Sequence, residues 1–231
     1  MQTLLDALRN ALHLIVTLDA DVFEYAGRSL LIASVSTLIA SMLGVPLGML
    51  IAERRFRGRR AVVTVLNTAL AFPTVVVGLF IYTLLSRTGP LGQLQLLFTI
   101  PAIIVGEVVL IVPIITAFTM TAVARTDRDV RKTAIALGAS RRQALWTVFC
   151  ESRFGVAAAV IAAFGRVVSE VGVATILGGN ADRFTRTMTT AIVLNVDMGN
   201  FAMALALGGV LLALSLTINV LFQYVQGGGP D

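Results

Sequence analysis

Long apolar stretches separated by short polar turns dominate the chain. Five of these stretches are about as long as the ~20 residues that an α-helix needs to cross the hydrocarbon core of a membrane. They predict spans at 29–52, 61–85, 101–124, 154–177 and 201–225. The turns at 87–92 and 178–182 are rich in Gly, Pro, Asn and charge, as is typical of helix ends. The pattern predicts an all-α integral membrane protein with its transmembrane domain at 29–225.

The residues before the first span follow a different pattern. Apolar residues recur there at helical spacing, with polar residues between them: Leu4, Leu5, Leu8, Leu12 and Ile15. This favours an amphipathic helix in the membrane interface over a sixth span. We therefore interpret 1–28 as an external amphipathic segment and 226–231 as a cytoplasmic tail. Asp6 and Arg9 interrupt the apolar run, which makes a cleavable signal peptide an unfavoured alternative.

The composition agrees with a membrane protein and argues against an enzyme. The mean hydropathy is +0.88, and 57% of the residues are hydrophobic against 13% charged, which lies outside the range of soluble domains. With a single Cys the chain cannot form an internal disulfide, and with a single His it cannot form most His-based metal sites. The phosphate-binding P-loop pattern and the H-E-x-x-H zinc pattern are both missing. We expect no catalytic residues, no metal and no cofactor bound by this chain.

The cations are concentrated in alternate loops and predict the orientation. The first loop holds Arg54, Arg55, Arg57, Arg59 and Arg60, and the third holds Arg125, Arg128, Arg131, Lys132, Arg141, Arg142 and Arg153. The other loops hold only Arg87, Arg183 and Arg186. Since Lys and Arg are enriched in cytoplasmic loops, the first and third loops are predicted to be cytoplasmic. The N-terminus is then outside and the C-terminus inside.

The third loop contains a basic segment, 127–146, with the pattern of two short helices. Val130, Ala134 and Leu137 form an apolar stripe, and Gly138 is predicted to end or bend the first helix. Ser140 is a candidate N-cap for the second helix. One interpretation is that a cytosolic partner binds this segment and transmits force through it. The alternative is a basic loop, or a helix lying on anionic lipid.

Three charged residues are predicted inside the membrane. Arg166 lies near the middle of the fourth span, Glu170 follows at i+4, and Glu107 lies in the third span at a comparable depth. Intramembrane charges usually pair, so they either fix the helix packing or, in the case of Arg166, line a path for an anion. The external loop 178–200 suits docking of a receptor or reception of an oxyanion, although a solvated loop is the alternative. Its candidate residues are Asn180, Arg183, Arg186, Thr187 and Thr189.

The sequence KTAIALG at 132–138, with Val148 ten positions later, resembles the signature of the permease subunits of ATP-binding-cassette (ABC) importers. Lys132 stands where that family usually has Glu, and Thr133 where it has the first Ala. The resemblance implies the type I importer fold, in which a coupling helix contacts an ATPase subunit. The coupling residues it implies are Lys132, Ala134, Leu137, Gly138, Ala139, Ser140, Arg141 and Arg142.

Further segments resemble the tungstate-specific branch of these permeases. They are AFPT at 71–74, FGRVVSEVG at 164–172, GGN at 178–180, TRTMTTAI at 185–192 and GNFAMALALG at 199–208. Molybdate permeases are similar through 164–172 but normally diverge in 185–192. The resemblance therefore implies tungstate first and molybdate second, in a prokaryotic inner membrane.

The expected partners follow from the same resemblance. They are a second copy of the chain, two cytosolic subunits that carry ATP and Mg, an extracytoplasmic solute-binding protein and membrane lipid, with no nucleic acid. A secondary anion transporter is the alternative class, but it predicts internal repeats, and none is evident between the two halves. A non-transporting membrane scaffold is a third possibility.

Overall fold

The computed structural model describes residues 4–17, 19–54, 56–126 and 128–227. Within these ranges the chain is helical, without a β-strand. The α-helices are α1 Leu4–Val16, α2 Ala20–Glu53, α3 Arg59–Leu70, α4 Thr74–Leu85, α5 Ile100–Arg125, α6 Arg128–Ala136, α7 Arg141–Val168, α8 Gly172–Gly178, α9 Met188–Asp197 and α10 Phe201–Gly227. A short 3₁₀ turn, Gly92–Leu94, precedes α5. The predicted all-α class is confirmed.

Four of the described helices are long and apolar enough to cross a membrane by themselves: α2, α5, α7 and α10. A fifth crossing is obtained only by joining α3 and α4, which are bent by 103° at their junction. The predicted span at 61–85 is therefore made of two helices and is not one continuous helix. The cause lies at Pro73, which has no N–H to donate and disfavours helical backbone in the residue before it. Pro73 accordingly stands in extended conformation directly before α4.

The fourth predicted span also differs from the structure. Helix α7 begins in the third loop, at Arg141, and continues without interruption to Val168. After a break at 169–171, the short α8 completes the predicted span. The second helix predicted in 127–146 is therefore the beginning of α7 and not a separate short helix. Because α7 is one continuous helix, a displacement of its first turn also displaces its other end, at the break.

The two helices α2 and α5 form the centre of the bundle. They approach most closely at Gly44 and Gly48, where a Cβ atom would meet α5. At Gly48 it would lie 2.6 Å from the carbonyl oxygen of Thr116 and 2.7 Å from the Cβ of Thr119. Small residues at four-residue spacing allow such close backbone contact in membrane proteins. The absence of a Cβ at the two glycines therefore allows α2 to pack tightly against α5.

A Gly48→Ala substitution is expected to destabilise the protein, because the new methyl group collides with backbone that cannot move independently of α5. Overpacking of this kind costs about 1–3 kcal/mol. Gly27→Ala is a matched control on the same helix, since a Cβ there meets nothing within 4 Å. Thermal unfolding in detergent measures the effect. Equal unfolding temperatures for the two variants would contradict the close contact.

Helix α1 packs against α10 and against the first turns of α2. Ala11 is buried with Ala206 and Leu207 of α10 and with Val22 of α2. Leu12, on another face of α1, is 58% exposed. The predicted helix is confirmed, whereas its place in the membrane interface stays a prediction.

Candidate functional site

The bundle has two ends with different chemistry. One end, the hairpin end, carries the 128–147 hairpin, which consists of α6, the turn at 137–140 and the first two turns of α7. The C-termini of α2 and α5 lie at this end. The opposite end carries the beginning of α2 and the loop 178–187, which are joined by hydrogen bonds. Between the two ends lies the α7–α8 break.

Local backbone geometry fixes the turn of the 128–147 hairpin. The N–H of Ala139 donates to the carbonyl of Ala134 at 3.0 Å, and that of Gly138 donates to the carbonyl of Ile135 at 2.9 Å. Together with a φ of +89° at Gly138, these bonds make a Schellman motif, in which glycine is favoured because it has no Cβ. The predicted bend at Gly138 is confirmed.

Helix α7 then begins with a reciprocal cap. The Oγ of Ser140 accepts a hydrogen bond from the N–H of Gln143 at 3.4 Å, and the Gln143 side chain accepts one from the N–H of Ser140 at 2.8 Å. This capping box satisfies two donors that would otherwise lack partners at the helix start. The predicted N-cap at Ser140 is confirmed. The hairpin therefore has a defined shape before any partner binds.

The outer surface of the hairpin is an apolar groove. Leu137 is 82% exposed and Trp146 66% exposed, and the predicted stripe residues Val130 and Ala134 line the same groove with Arg142. On the inner side, Ala144 and Val148 are buried against the bundle. Large apolar side chains exposed together mark a site of interaction with another protein or with the membrane. The stripe therefore faces outward, where a partner can contact it.

The basic residues of the hairpin divide between two surfaces. Arg142 borders the apolar groove, whereas Lys132 and Arg131 line a cavity on the inner side of α6. Arg131 forms an ion pair there with Glu53, at the end of α2. The side chain of Arg141 lies outside the described part of the structure. The ion pair anchors α6 to the bundle at the hairpin end.

The second part of the site is the break between α7 and α8. Arg166 lies in the last turn of α7, and its Nη1 is 3.4 Å from Oε2 of Glu170. The other carboxylate oxygen of Glu170 accepts hydrogen bonds from the N–H groups of Gly172 and Val173, at 2.8 and 3.3 Å. The Glu170 side chain is 2% exposed and that of Arg166 46% exposed. The predicted i, i+4 pair is confirmed, and Glu170 also caps α8.

The third predicted intramembrane charge, Glu107, has its hydrogen-bond partner on α2. Glu107 is buried and accepts a hydrogen bond from the Oγ of Ser36 at 2.8 Å. Within the described ranges, no ion pair links Glu107 to Arg166. Glu107 therefore makes its direct contact with α2, and it lies within electrostatic reach of Glu170 without forming a salt bridge to Arg166 in the described ranges. Ser36 carries no sequence signal that would have identified it as the partner.

Two of the threonines predicted to face the outside are engaged inside the protein. Thr189 donates to the backbone carbonyl of Glu170 at 2.6 Å. Thr187 is the N-cap of α9 and forms a capping box with Thr190. Both predicted threonines are buried, so they hold the break and the loop together and are not exposed for receptor docking.

The remaining loop residues are tied to the beginning of α2. Arg186 contacts Asp182 at 2.9 Å, the hydroxyl of Tyr25 at 3.2 Å and the side-chain oxygen of Asn180 at 3.3 Å. Tyr25 donates to Asp182 at 2.9 Å. This hydrogen bond is the main cause that lowers the pKa of Asp182 below its ordinary value. Loop 178–187 is thus a preformed structure.

Arg28 adds a further tie between α2 and this loop. Its guanidinium donates to the backbone carbonyls of Arg183 and Arg186, both at 2.9 Å. The side chains of Arg183 and Phe184 remain exposed, so they form the open surface of the loop. Sequence reasoning missed Tyr25 and Arg28, because their partners are more than 150 residues away and no local pattern connects them.

The structure also bears on metal binding by this chain. Over the residues that it describes, no three His, Cys, Asp or Glu side chains are grouped so that they could hold a metal ion. The two sites offer an exposed apolar groove at the hairpin and a half-exposed guanidinium at the α7–α8 break.

The sequence is similar to those of membrane proteins of transport systems. The family model described as "Binding-protein-dependent transport system inner membrane component" matches residues 44–227. A probable anion ABC transporter permease protein of Haloferax volcanii is 39% identical, over 84% of this chain and 85% of its own length.

Two further relatives are tungstate uptake system permease proteins. That of Peptoclostridium acidaminophilum is 34% identical, over 98% of this chain and 99% of its own. That of Campylobacter jejuni is 37% identical, over 93% and 90%. A molybdenum transport system permease protein of Azotobacter vinelandii is 27% identical, over 81% and 86%.

The fold also has a relative among solved structures. A chain of the MetNI methionine ABC transporter, in an inward-facing conformation, superposes with a TM-score of 0.72, covering 95% of this chain and 98% of its own. At 16% sequence identity this likeness concerns the fold alone. It confirms the predicted ABC-importer permease fold.

Proposed function

The chain belongs to the family of inner membrane components of binding-protein-dependent transport systems, and from this premise we propose that it is the permease subunit of an ATP-driven tungstate importer. Two copies would form the transport path between them. Two cytosolic ATPase subunits would dock at the hairpin end, and a solute-binding protein would deliver the oxyanion at the opposite end. The arginine distribution supports this orientation, with the hairpin end in the cytoplasm.

The observation that carries the proposal is the 128–147 hairpin. It presents exposed apolar side chains on a surface fixed by a Schellman turn and a capping box, and it begins the helix that ends at the α7–α8 break. The sequence carries no P-loop, so ATP hydrolysis in the proposed importer would take place on another polypeptide. Movement of the ATPases would displace the hairpin and, through α7, the break. This is alternating access by rigid-body motion.

The substrate is inferred from the relatives. Permeases named for tungstate uptake are 34% and 37% identical over most of the chain, whereas the molybdenum permease is 27% identical. Both substrates are tetrahedral dianions, for which N–H and O–H donors are suitable ligands. The ranking of tungstate before molybdate therefore rests on relatedness.

Arg166 is the proposed donor to the oxyanion on its way through the membrane. Its contact with Glu170 uses one end of the guanidinium at 3.4 Å, and 46% of its side chain is exposed. A guanidinium carries five N–H donors, so several remain for an anion. Glu170 neutralises Arg166 only in part, because its other oxygen is bound to the start of α8.

The proposed function is tested by reconstituting the chain in vesicles with its candidate ATPase and binding protein. Tungstate is expected to stimulate ATP hydrolysis and to accumulate inside the vesicles. Molybdate should act less strongly and sulfate least. Equal or stronger stimulation by molybdate would replace the substrate assignment, and stimulation by sulfate or phosphate without tungstate would overturn it.

An Arg166→Ala variant is expected to import tungstate about tenfold more slowly or worse, as follows from losing a charge-assisted hydrogen bond of roughly 1.5–3 kcal/mol. Uptake in the same vesicles measures the effect. Binding of the ATPase subunit should not change, because the hairpin is distant from the break. Arg87→Ala is the control, since it removes an exposed Arg outside the break. Loss of the assembled complex in Arg166→Ala would show that Arg166 acts in packing instead.

A further inference from the structure

A cavity distinct from the apolar docking groove lies at the hairpin end, on the inner side of α6. It is enclosed by the C-termini of α2 and α5, the first turn of α3 and α6 itself. Its charged lining consists of Arg59, Arg131, Lys132 and Glu53. Arg131 and Glu53 are paired with each other, and Arg59 adds positive charge to these walls beyond that pair. Ile135 and Val148 belong to its apolar lining.

The charged walls come from separate elements that are held in place. Arg59 of α3 donates from Nε to the backbone carbonyl of Ile51 in α2, at 2.9 Å. This bond leaves the two terminal nitrogens of the guanidinium for another acceptor. Arg131 of α6 is paired with Glu53 of α2. The cavity is therefore a built space, and not only a consequence of many arginines in one loop.

We propose that this cavity binds the phosphate headgroup of an anionic membrane phospholipid, wedged between α6 and the ends of α2 and α5. Three features of the cavity fit such a lipid. It has net positive charge, it combines charged and apolar walls, and it lies where the long apolar helices α2 and α5 end. Basic pockets between membrane helices on the cytoplasmic side bind anionic headgroups in this way. A free phosphate would use the cations but not the apolar lining.

A lipid in this position would bridge two parts of the permease. Arg59 belongs to the first loop and Arg131 to the hairpin, so one headgroup contacts both. The position of α6, and with it the docking groove on its outer side, then depends on the bilayer composition. The inference does not depend on which oxyanion is transported.

The test counts the lipids that the purified chain retains. The protein is extracted from membranes in mild detergent, supplied with phosphatidylglycerol or with phosphatidylcholine, and examined by native mass spectrometry. Arg59→Gln is expected to retain phosphatidylglycerol roughly fivefold less tightly, the effect of one cation near an anionic headgroup. Arg57→Gln is the matched control, because it removes the same charge from the same loop without lining the cavity.

A second variant distinguishes the loss of the positive charge from a loss of folding. Arg59→Lys keeps the cation but loses the planar guanidinium, and it should retain most of the lipid. Equal retention by Arg59→Gln and Arg57→Gln would overturn the proposal, as would equal retention of phosphatidylcholine by the unchanged protein. Displacement of the lipid by millimolar inorganic phosphate would show a free-phosphate site instead. Loss of ATPase-subunit binding with unchanged lipid retention in Arg59→Gln would show that the cavity receives an acidic protein side chain.

Discussion

A Leu137→Asp permease is expected to fold normally and to lose binding of the proposed ATPase subunit. Leu137 is 82% exposed at the tip of the 128–147 hairpin, so the new carboxylate is hydrated in the isolated chain and costs little stability. In the complex the leucine would be buried, which contributes about 1.5–3 kcal/mol, and the aspartate would add the cost of burying an unpaired charge. Binding should weaken by at least tenfold, and substrate-stimulated ATP hydrolysis should disappear.

Co-purification of the ATPase subunit measures this effect, and the ATPase rate in vesicles measures its consequence. Leu94→Asp is the control, because Leu94 is also exposed, at 57%, but lies in the short turn before α5 at the opposite end. It should leave ATPase binding intact. Normal binding by Leu137→Asp would show that the hairpin is not the docking surface, and the proposed mechanism would then be wrong.

A Glu170→Leu substitution is expected to have the largest effect on folding. The N–H groups of Gly172 and Val173 would lose their common acceptor, and Arg166 would lose its ion partner. Leaving a buried donor unsatisfied costs roughly 1–3 kcal/mol, so the total destabilisation should be about 3 kcal/mol or more. Yield of monodisperse protein and thermal unfolding in detergent are the measurements.

Glu170→Gln separates the two functions of this side chain. The amide oxygen can still accept from α8, whereas the negative charge opposite Arg166 is gone. Its stability should lie much closer to that of the unchanged protein, while transport changes because Arg166 is no longer partly neutralised. If both variants unfold to the same extent, the charge and not the helix cap stabilises the break.

Much of this architecture is evident from local sequence patterns. The apolar stretches predict the number of crossings, and the bend at Gly138 and the cap at Ser140 follow from backbone preferences of Gly and Ser. The i, i+4 spacing of Arg166 and Glu170 predicts their contact. All of these depend on residues within a few positions of one another, where the local backbone geometry restricts which conformations and contacts are possible.

Other features required the packed bundle. The sequence contains Pro73 but does not indicate a 103° bend beside it, and it does not show that α7 ends at Val168. Thr187 and Thr189 look like exposed hydroxyls in a loop but are buried. Whether a polar side chain faces water or a neighbouring helix is decided by contacts that the local pattern does not contain.

The sequence by itself thus determined that the chain is a membrane bundle with a bent basic hairpin, because hydropathy and turn preferences are properties of short segments. Only the tertiary structure decided which residues share a site. Tyr25 meets Asp182 and Arg131 meets Glu53, across 157 and 78 positions. Contacts at such separations arise from the way whole helices pack, since no spacing rule operates over that length of chain.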